Sequence, residues 1–391
     1  MYLTKKEERV YDGEEGWAKQ TCMRILVRLG ELFKAEKLIP IDSAHVSGVS
    51  YKTLGDAPID FLQALADSGA KASVKATLNP QSFDSEYLIK KIPVCARENQ
   101  LQILKQFDRM GLESTLTCTP YYLDQPESCS HLAWAESSAV VYANSVLGAC
   151  TNREGGPSAL AAAIIGKTAD YGMHRKENRR ADVVVNVEEP LENEMEFGAL
   201  GIYLGRILGD KIPMIRDLGN ASETCMKQLS AALAATGMTN MFCTEHDKTK
   251  RARMEVINVS SKDIGGTVQN LSTMSTSRPD LVFTGCPHCS LNEIQEIAEL
   301  SAGRKVKSGI ECWICTSRYV KENSGDAVKK IEKTGARVLT DMCTIVSWTE
   351  KVGIRSIMTN SAKTAHYAPT LNKAETVLAP LKKCLETAFK G

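Results

Sequence analysis

The feature that most constrains the fold is an apolar run that ends in a glycine and a cysteine, at residues 280–290 (DLVFTGCPHCS). The apolar residues predict a buried strand, the glycine a turn, and the final serine the start of a helix. Two other segments, residues 114–118 (STLTC) and 337–343 (RVLTDMC), also run from an apolar strand to a cysteine. In open α/β sheets, ligands bind beyond the carboxyl ends of the strands. We therefore predict a three-thiolate site in one crevice, formed by Cys118, Cys286 and Cys343.

The rest of the chain repeats the order of apolar strand, polar loop and amphipathic helix. This order is typical of parallel sheets covered by helices on both faces. An acidic segment at residues 188–196 indicates a boundary between regions. We therefore predict an α/β fold of several α/β/α units with mainly parallel sheets around a central crevice. Its expected regions are residues 1–187, a connecting region 188–250, and residues 251–391.

Composition excludes few functions. The 391 residues carry a net charge of +1, from 48 basic and 47 acidic residues, which gives no electrostatic case for nucleic acid or an anionic membrane. The charged N-terminus is not a signal peptide, and no apolar run approaches the roughly 20 residues that span a bilayer. The 13 cysteines show no disulfide rhythm. We therefore expect a cytoplasmic protein whose thiols are buried or bound to metal.

Polar residues suited to a small ligand are concentrated in a few loops. The loop after residue 42 is rich in hydroxyl groups and contains His45. A second polar segment, residues 134–157, contributes groups that we expect to face inward, although a solvated role for Arg153 is the alternative. A third segment, near residue 361, begins a helix, where backbone N–H groups favour anions. The predicted substrate-binding residues are Ser47, Gly48, Val49, Ser50, Asn79, Glu136, Ser137, Asn144, Arg153, Ser361 and Lys363.

Two metal hypotheses compete for the cysteines. The pairs Cys286/Cys289 and Cys312/Cys315 are CxxC motifs with 22 residues between them, positions 290–311. That spacing is close to a zinc ribbon and would give a structural, non-catalytic site. The three strand-end cysteines instead suit an iron–sulfur cluster with one iron free of protein ligands, which can act as a Lewis acid. The helical pattern between the two CxxC pairs favours the cluster, but the spacing leaves both hypotheses open.

Six segments carry a specific resemblance to a known family. They are SAHVSGVSYK at 43–52, TCTPY at 117–121, YANSVLG at 142–148, TNREGGP at 151–157, GCPH at 285–288 and SAKTAHYAP at 361–369. On these motifs the chain resembles the large, cluster-bearing subunit of the aconitase X family over essentially its whole length. The resemblance implies an aconitase-like fold around the crevice.

The resemblance also implies chemistry. Its expected cofactor is a 4Fe–4S cluster with one labile iron, held by Cys118, Cys286 and Cys343. The expected reaction is a dehydration, with His45 orienting or protonating the departing hydroxyl and Lys363 binding a phosphate. The implied substrate is (R)-5-phosphomevalonate, converted to trans-anhydromevalonate 5-phosphate in a modified mevalonate pathway, or alternatively cis-3-hydroxy-L-proline.

A partner is implied as well. In this superfamily the base that removes the α-proton is a serine on a swivelling domain, and no part of residues 1–391 is left over for that domain. We therefore expect a separate small subunit that supplies the serine, and a large subunit that is inactive alone. The remaining alternative is a zinc-stapled, non-catalytic subunit built on the two CxxC pairs.

Overall fold

The computed structural model describes residues 1–219, 221–244, 254–275 and 278–390. Over these residues three parallel sheets follow one another along the chain, and helices pack against them. Two short antiparallel pairs of strands complete the secondary structure. The predicted α/β class with mainly parallel sheets is therefore confirmed.

The first unit is built on a three-stranded sheet. Its helices and strands are α1 (Lys5–Asp12), α2 (Trp17–Leu32), β1 (Leu38–Pro40), β2 (Ser43–Val46), α3 (Tyr51–Leu54), α4 (Ala57–Asp67), β3 (Lys75–Leu78), α5 (Val94–Arg109), β4 (Leu132–Trp134), α6 (Ser137–Tyr142), α7 (Gly156–Ile165) and β5 (Lys167–Ala169). The parallel sheet has the order β3-β2-β4, and β1 pairs with β5 in antiparallel orientation. The central strand β2 therefore places the loop after Val46 between the ends of its two neighbours.

The second unit is a four-stranded parallel sheet with the order β8-β7-β6-β9. Its elements are β6 (Val183–Val187), α8 (Glu194–Leu208), β7 (Pro213–Arg216), α9 (Glu223–Thr236), β8 (Cys243–Thr244), β9 (Glu255–Val259) and α10 (Ser261–Asn270). Strand β6, which we assigned to the first region, thus pairs within the second unit. The predicted limit at 187/188 remains a prediction, and the limit at 250/251 lies outside the described residues.

The third unit contains a five-stranded parallel sheet with the order β13-β12-β10-β14-β15. Its elements are β10 (Leu281–Cys289), α11 (Leu291–Leu300), β11 (Lys305–Val306), β12 (Glu311–Thr316), α12 (Arg318–Asn323), α13 (Gly325–Lys333), β13 (Arg337–Leu339), β14 (Ser356–Thr359), α14 (Ala362–Leu371), β15 (Glu375–Leu378), α15 (Leu381–Ala388) and β16 (Phe389–Lys390). The central strand β10 is fully buried, as its run of apolar residues predicts.

The start of α11 shows how the sequence ends β10. Ser290 caps the helix with its side chain, and Glu293 closes a capping box by accepting from the Ser290 N–H at 2.8 Å. Upstream, the pairing of β10 with β12 loses its register between Thr284 and Cys289, where Gly285 has a φ of 104°. A residue with a side chain would be strained there and would collide with the Cys315 backbone. The predicted strand and helix are confirmed, whereas the predicted glycine turn is a break in register within β10.

The segment that leads to Cys118 differs from the prediction. Residues 114–118 form no strand, because pairing with β3 is limited to one bridge between Thr77 and Glu113. Leu116 then takes a left-handed φ of 47°, which is incompatible with a continuing strand. The apolar alternation of this segment reflects burial in a loop. Cys118 is nonetheless carried to the end of β3, since the Thr117 N–H donates to the Leu78 carbonyl at 3.1 Å.

Glycines bring α8 and α9 into close contact. A Cβ atom on Gly201 would lie 2.7 Å from the Leu229 carbonyl oxygen, and one on Gly205 would lie 2.9 Å from the Leu233 carbonyl oxygen. Such distances are well inside van der Waals contact, so only glycine allows this approach. The position of α9 matters because its first half reaches the Cys286 turn of the third unit.

Candidate functional site

Loops from the first and third units meet beyond the carboxyl ends of their strands. Glu136, which follows β4, accepts from Lys363 Nζ at the start of α14 with an Oε1–Nζ distance of 2.7 Å. Asn79, which follows β3, donates to the other carboxylate oxygen at 2.9 Å. The Cys343 N–H donates to the carbonyl of Gln81 at 3.1 Å. The two sheets therefore form one crevice, as parallel-strand topology predicts.

The three predicted ligand cysteines share one electrostatic environment. Burial raises the pKa of the Cys118 thiol well above its usual value, and Glu136 and the other two sulfurs raise it further. Burial and the Cys286 sulfur raise the pKa of Cys343 to about 12. All three cysteines are free of disulfides. Grouped thiols of this kind become thiolates when a metal lies against them, so the donor set fits an iron–sulfur cluster.

His288 connects the segments that carry the cysteines. Its ring Nε2 lies 2.9 Å from the carbonyl oxygen of Met342, the residue before Cys343. Its Nδ1 lies 3.0 Å from Oγ1 of Thr117, the residue before Cys118. Its backbone N–H donates to the Cys118 sulfur at 3.2 Å. In the sequence this histidine appears as part of the GCPH motif, and nothing there predicts a role for it.

Glu136 and Lys363 form a buried ion pair in the crevice. Burial alone would raise the pKa of Glu136, but the Lys363 ammonium and hydrogen bonds from Ser138 and Asn79 lower it to about 2. Burial opposes the charge of Lys363, yet the Glu136 carboxylate and the Cys286 sulfur raise its pKa above the usual value. Both groups are therefore charged at neutral pH. Ser137 Oγ lies 3.4 Å from the same ammonium.

His45 lies within β2 and is fully buried. Its Nδ1 is 2.8 Å from Thr77 Oγ1, and its Nε2 makes no hydrogen bond of standard geometry among the described residues, although the Asn79 side chain and the Thr117 backbone also interact with the ring. Burial lowers the pKa of the ring to about 4, against an opposing effect of Glu136, so the imidazole is neutral at pH 7. Asn79 Oδ1 and Gln81 Oε1 are also buried without a partner in the described chain. Unsatisfied buried atoms of this kind mark a place where a ligand can supply the missing hydrogen bonds.

The loop of Ser47, Gly48, Val49 and Ser50 runs from β2 towards α3. Ser50 Oγ lies 2.5 Å from Ser82 Oγ and donates to the Val346 carbonyl at 3.2 Å, while Gln100 donates to the Val49 carbonyl at 2.8 Å. A Cβ on Gly156 would meet the Ser47 carbonyl oxygen at 2.6 Å. These hydrogen bonds and the close approach of Gly156 hold the loop in place. Its predicted contacts with substrate stay predictions.

Three other predicted ligand residues use their side chains within the protein. Asn144 donates to the carbonyls of Thr151 and Asn240, both at 2.9 Å, and accepts from Thr151 and Arg179. Arg153 donates to carbonyls at the end of α9, at 2.8 and 3.1 Å. Ser361 is the N-cap of α14. No described contact joins Asn144 or Arg153 to the cysteines, so their roles as substrate ligands also stay predictions.

The structure does not support the zinc alternative. Cys289 and Cys312 belong to one apolar cluster, whereas Cys286 and Cys315 belong to another. Residues three apart in a strand point to opposite faces, which separates the two thiols of β12. Over the part of the chain that the structure describes, no group of three or more His, Cys, Asp or Glu residues is arranged to hold a single metal ion. A cluster makes a different demand, because each thiolate binds a different iron.

The helix α9 holds the Cys286 turn from the second unit. Gln228 donates to the carbonyl of Cys286 at 3.2 Å, and Lys227 donates to the carbonyl of His288 at 3.0 Å. Lys227 also forms a buried ion pair with Glu293 of the capping box. The sequence of α9 is rich in alanine and leucine, a pattern typical of a core helix. The sign of this anchoring role that the sequence offers is Lys227, a charged residue inside an apolar helical pattern.

Taken together, the fold and the crevice are those of an aconitase-like α/β protein in which three cysteines lie close enough to affect one another's pKa. The chain belongs to the aconitase X family. Family models described as the aconitase X first, second and third domains match residues 1–177, 181–268 and 279–390. Membership implies an iron–sulfur cluster, and the predicted resemblance is confirmed.

Relatives and solved structures agree with this assignment. The phosphomevalonate dehydratase large subunit of Methanocaldococcus jannaschii is 40% identical, with 99% of this chain and 100% of that protein covered. That of Thermococcus kodakarensis is 42% identical, with 94% and 95% covered. The cis-3-hydroxy-L-proline dehydratase of Pseudomonas aeruginosa is 31% identical, with 98% of this chain and 69% of that protein covered. The crystal structure of Thermococcus kodakaraensis aconitase X (holo-form) superimposes with a TM-score of 0.93 at 40% identity, covering 99% of this chain and all of that one.

None of the helices in residues 1–219, 221–244, 254–275 and 278–390 is long and apolar enough to cross a bilayer.

Proposed function

We propose that this chain is the large subunit of a phosphomevalonate dehydratase, a hydro-lyase that forms trans-anhydromevalonate 5-phosphate. The observation that carries the proposal is full-length similarity to archaeal large subunits of that name, at 37–42% identity. The cis-3-hydroxy-L-proline dehydratases are more distant, at 30–31% identity, and are longer than this chain.

In this proposal Cys118, Cys286 and Cys343 hold a 4Fe–4S cluster. Their shared crevice, their free thiols and the unsatisfied polar atoms nearby support it. When bound by three thiolates, such a cluster supplies a Lewis acid for the hydroxyl group that leaves.

His45 is suited to orienting that hydroxyl. Because its ring is neutral, it is a weak acid, but it can donate a hydrogen bond from Nε2 when Nδ1 accepts from the Thr77 hydroxyl. Of the two roles that we predicted, orientation is therefore favoured over protonation. This role is supported by Nε2, which is buried and makes no hydrogen bond of standard geometry among the described residues.

Lys363 is suited to binding an anionic group of the substrate. Its ammonium stays protonated, and it lies in the first turn of α14, where the helix dipole and free N–H groups favour negative charge. Glu136 already balances its charge, so the lysine contributes orientation as well as attraction. A carboxylate or phosphate would share the ammonium with Glu136.

The proposed partner is a small subunit that supplies the α-proton base, a serine. The names of the relatives, which are large subunits, support the existence of a partner. We therefore expect the chain to bind the cluster alone and to turn over substrate only with that subunit.

The proposal is tested on protein purified without oxygen. We expect about four irons and four sulfides per chain and a broad visible absorption band. With the small subunit added, (R)-5-phosphomevalonate should be dehydrated and cis-3-hydroxy-L-proline should not, as judged by mass spectrometry of the products. Turnover of hydroxyproline alone would replace the substrate assignment, and one tightly bound zinc without sulfide would overturn the cluster.

Cysteine variants identify the ligands. Cys118→Ser and Cys343→Ser are expected to lose most of the iron, because each removes one of three thiolates. Cys312→Ser is the matched control, since this buried thiol lies in a different apolar cluster. Equal iron loss in all three variants would argue against the assignment of the ligands.

A further inference from the structure

His288 occupies an unusual place among the cysteine segments. It belongs to the Cys286 segment, and its ring is 1% exposed. The ring spans from Thr117 to Met342, the residues that directly precede the other two cysteines. The other described hydrogen bonds to these segments each hold only one of them. Gln81 accepts from the Cys343 N–H, and Gln228 donates to the Cys286 carbonyl.

The chemistry of the contacts fixes the direction of each hydrogen bond. A backbone carbonyl can only accept, so Nε2 must carry the ring proton and donate to Met342. Nδ1 is then an acceptor, and the Thr117 hydroxyl must donate to it. The ring therefore acts as a bridge with one donor end and one acceptor end. These directions are those of the neutral ring, because the Thr117 hydroxyl can equally accept from a protonated Nδ1.

We propose that His288 is a positioning residue that holds the three cysteine segments in register before iron arrives. The inference rests on the proposed function, because the thiols it positions are the proposed cluster ligands. Three segments distant in the sequence must be brought together at an entropic cost, and a bridge buried between them removes much of their freedom. The role is one of positioning, because both ring nitrogens of His288 already have partners within the protein.

Three substitutions separate the two ends of the bridge. His288→Gln places an amide nitrogen where Nε2 was and retains the donor to Met342. His288→Asn places an oxygen near Nδ1 and retains the acceptor for Thr117. His288→Ala removes both. The control is His174→Asn, because His174 is also buried but its ring pairs with His131, at a Nδ1–Nδ1 distance of 3.0 Å.

The main readout is the rate at which a chelator removes iron from the reconstituted chain, together with the electron paramagnetic resonance spectrum of the cluster after reduction with dithionite. We expect His288→Ala to lose iron at least about tenfold faster than the unmodified chain, with an altered spectrum. The Gln and Asn variants should lie between. His174→Asn should lower the unfolding temperature and leave iron release and spectrum unchanged. A folded Ala variant with unchanged release and spectrum would overturn the proposal.

A second readout works without iron. In the apo chain, alkylation of Cys118 and Cys343 by iodoacetamide should be faster in the His288 variants, while alkylation of buried Cys312 stays the same. If the unmodified chain binds no iron or sulfide, the proposed function fails, and the alkylation rates still judge the bridge. If it binds iron normally but the His288 variants match it in both readouts, the bridge alone is refuted. If the Ala variant does not fold, the Gln and Asn variants decide.

Discussion

At the scale of single residues, the crevice is governed by charges that are buried in pairs. The side chains of Glu136 and Lys363 are each 12% exposed. The charge of each one keeps the other ionised. Taking a charge out of water costs several kcal/mol, which only a close opposite charge and further hydrogen bonds offset. Removing one partner should therefore be more harmful than removing both.

We expect Glu136→Gln to lower the free energy of unfolding by about 3–5 kcal/mol, because the Lys363 ammonium stays buried without a counter-charge. The double variant Glu136→Gln with Lys363→Met should recover most of that loss and remain without turnover. Denaturant unfolding of the apo chain measures both. Equal stability of the single and double variants would contradict the pairing.

At the scale of elements, α9 links the second unit to the cysteine turn of the third. Its Lys227 is buried against Glu293, and both groups also contact the backbone around the turn. Burial lowers the pKa of Lys227, but Glu293 and Cys289 more than compensate, so its pKa is raised. This ion pair fixes the helix to the loop that carries Cys286.

Lys227→Met should cost about 3–5 kcal/mol of stability, because Glu293 is left as an unpaired buried carboxylate. Adding Glu293→Leu should restore part of it while removing the capping box at Ser290. Thermal unfolding and iron content are measured together. A Lys227→Met variant as stable as the unmodified chain would show that the pair does not anchor α9.

Packing of α8 on α9 gives a sharper test, because the chain contains its own control. In Gly201→Ala the new Cβ would lie 2.7 Å from the Leu229 carbonyl oxygen, so α9 must shift, at a cost of about 1–3 kcal/mol. Gly265 is an exposed residue of α10 with no atom within 4 Å of a built Cβ. Gly265→Ala should be neutral or stabilise by up to about 1 kcal/mol. The unfolding midpoint should fall for Gly201→Ala and stay the same or rise for Gly265→Ala, and iron release should rise only for Gly201→Ala.

At the scale of the whole molecule, buried neutral histidines make the fold sensitive to acid. Burial lowers the pKa of His45 to about 4 and that of His174 to about 3, from an ordinary value of 6.5. The unfolded chain therefore binds these protons first as pH falls. The stability that the neutral rings contribute is complete above pH 6.5 and is lost progressively below it. The Glu136 carboxylate, whose pKa is lowered to about 2, also stabilises the fold. That contribution is lost only below about pH 4.5.

The expected loss is about 2 kcal/mol for each of these histidines between pH 6.5 and about pH 5. Urea unfolding of the apo chain at several pH values measures it. His174→Asn should reduce the loss of unfolding free energy over this pH range by the amount expected for one histidine, and His45→Asn should reduce it by the same amount. A dependence that starts only below pH 4.5 would show that carboxylates alone are responsible.

The sequence by itself determined the parallel α/β class, the strand and helix around Cys286, and the family. Each of these depends on local patterns, since apolar runs, capping residues and motifs are read within a few neighbouring positions. The Ser290 and Glu293 capping box is an example, because both partners lie within one helical turn. The same locality made residues 114–118 look like a strand when tertiary burial holds them as a loop.

Only the tertiary structure decided what the polar side chains do. Asn144 and Arg153 have the composition of ligand residues, yet their hydrogen bonds go to carbonyls from distant parts of the chain. Lys227 and His288 appeared ordinary in the sequence, and their partners lie 66 and 171 positions away. A pattern of residues shows which groups are buried, but the free energy of a buried polar group depends on the partner that the fold brings to it.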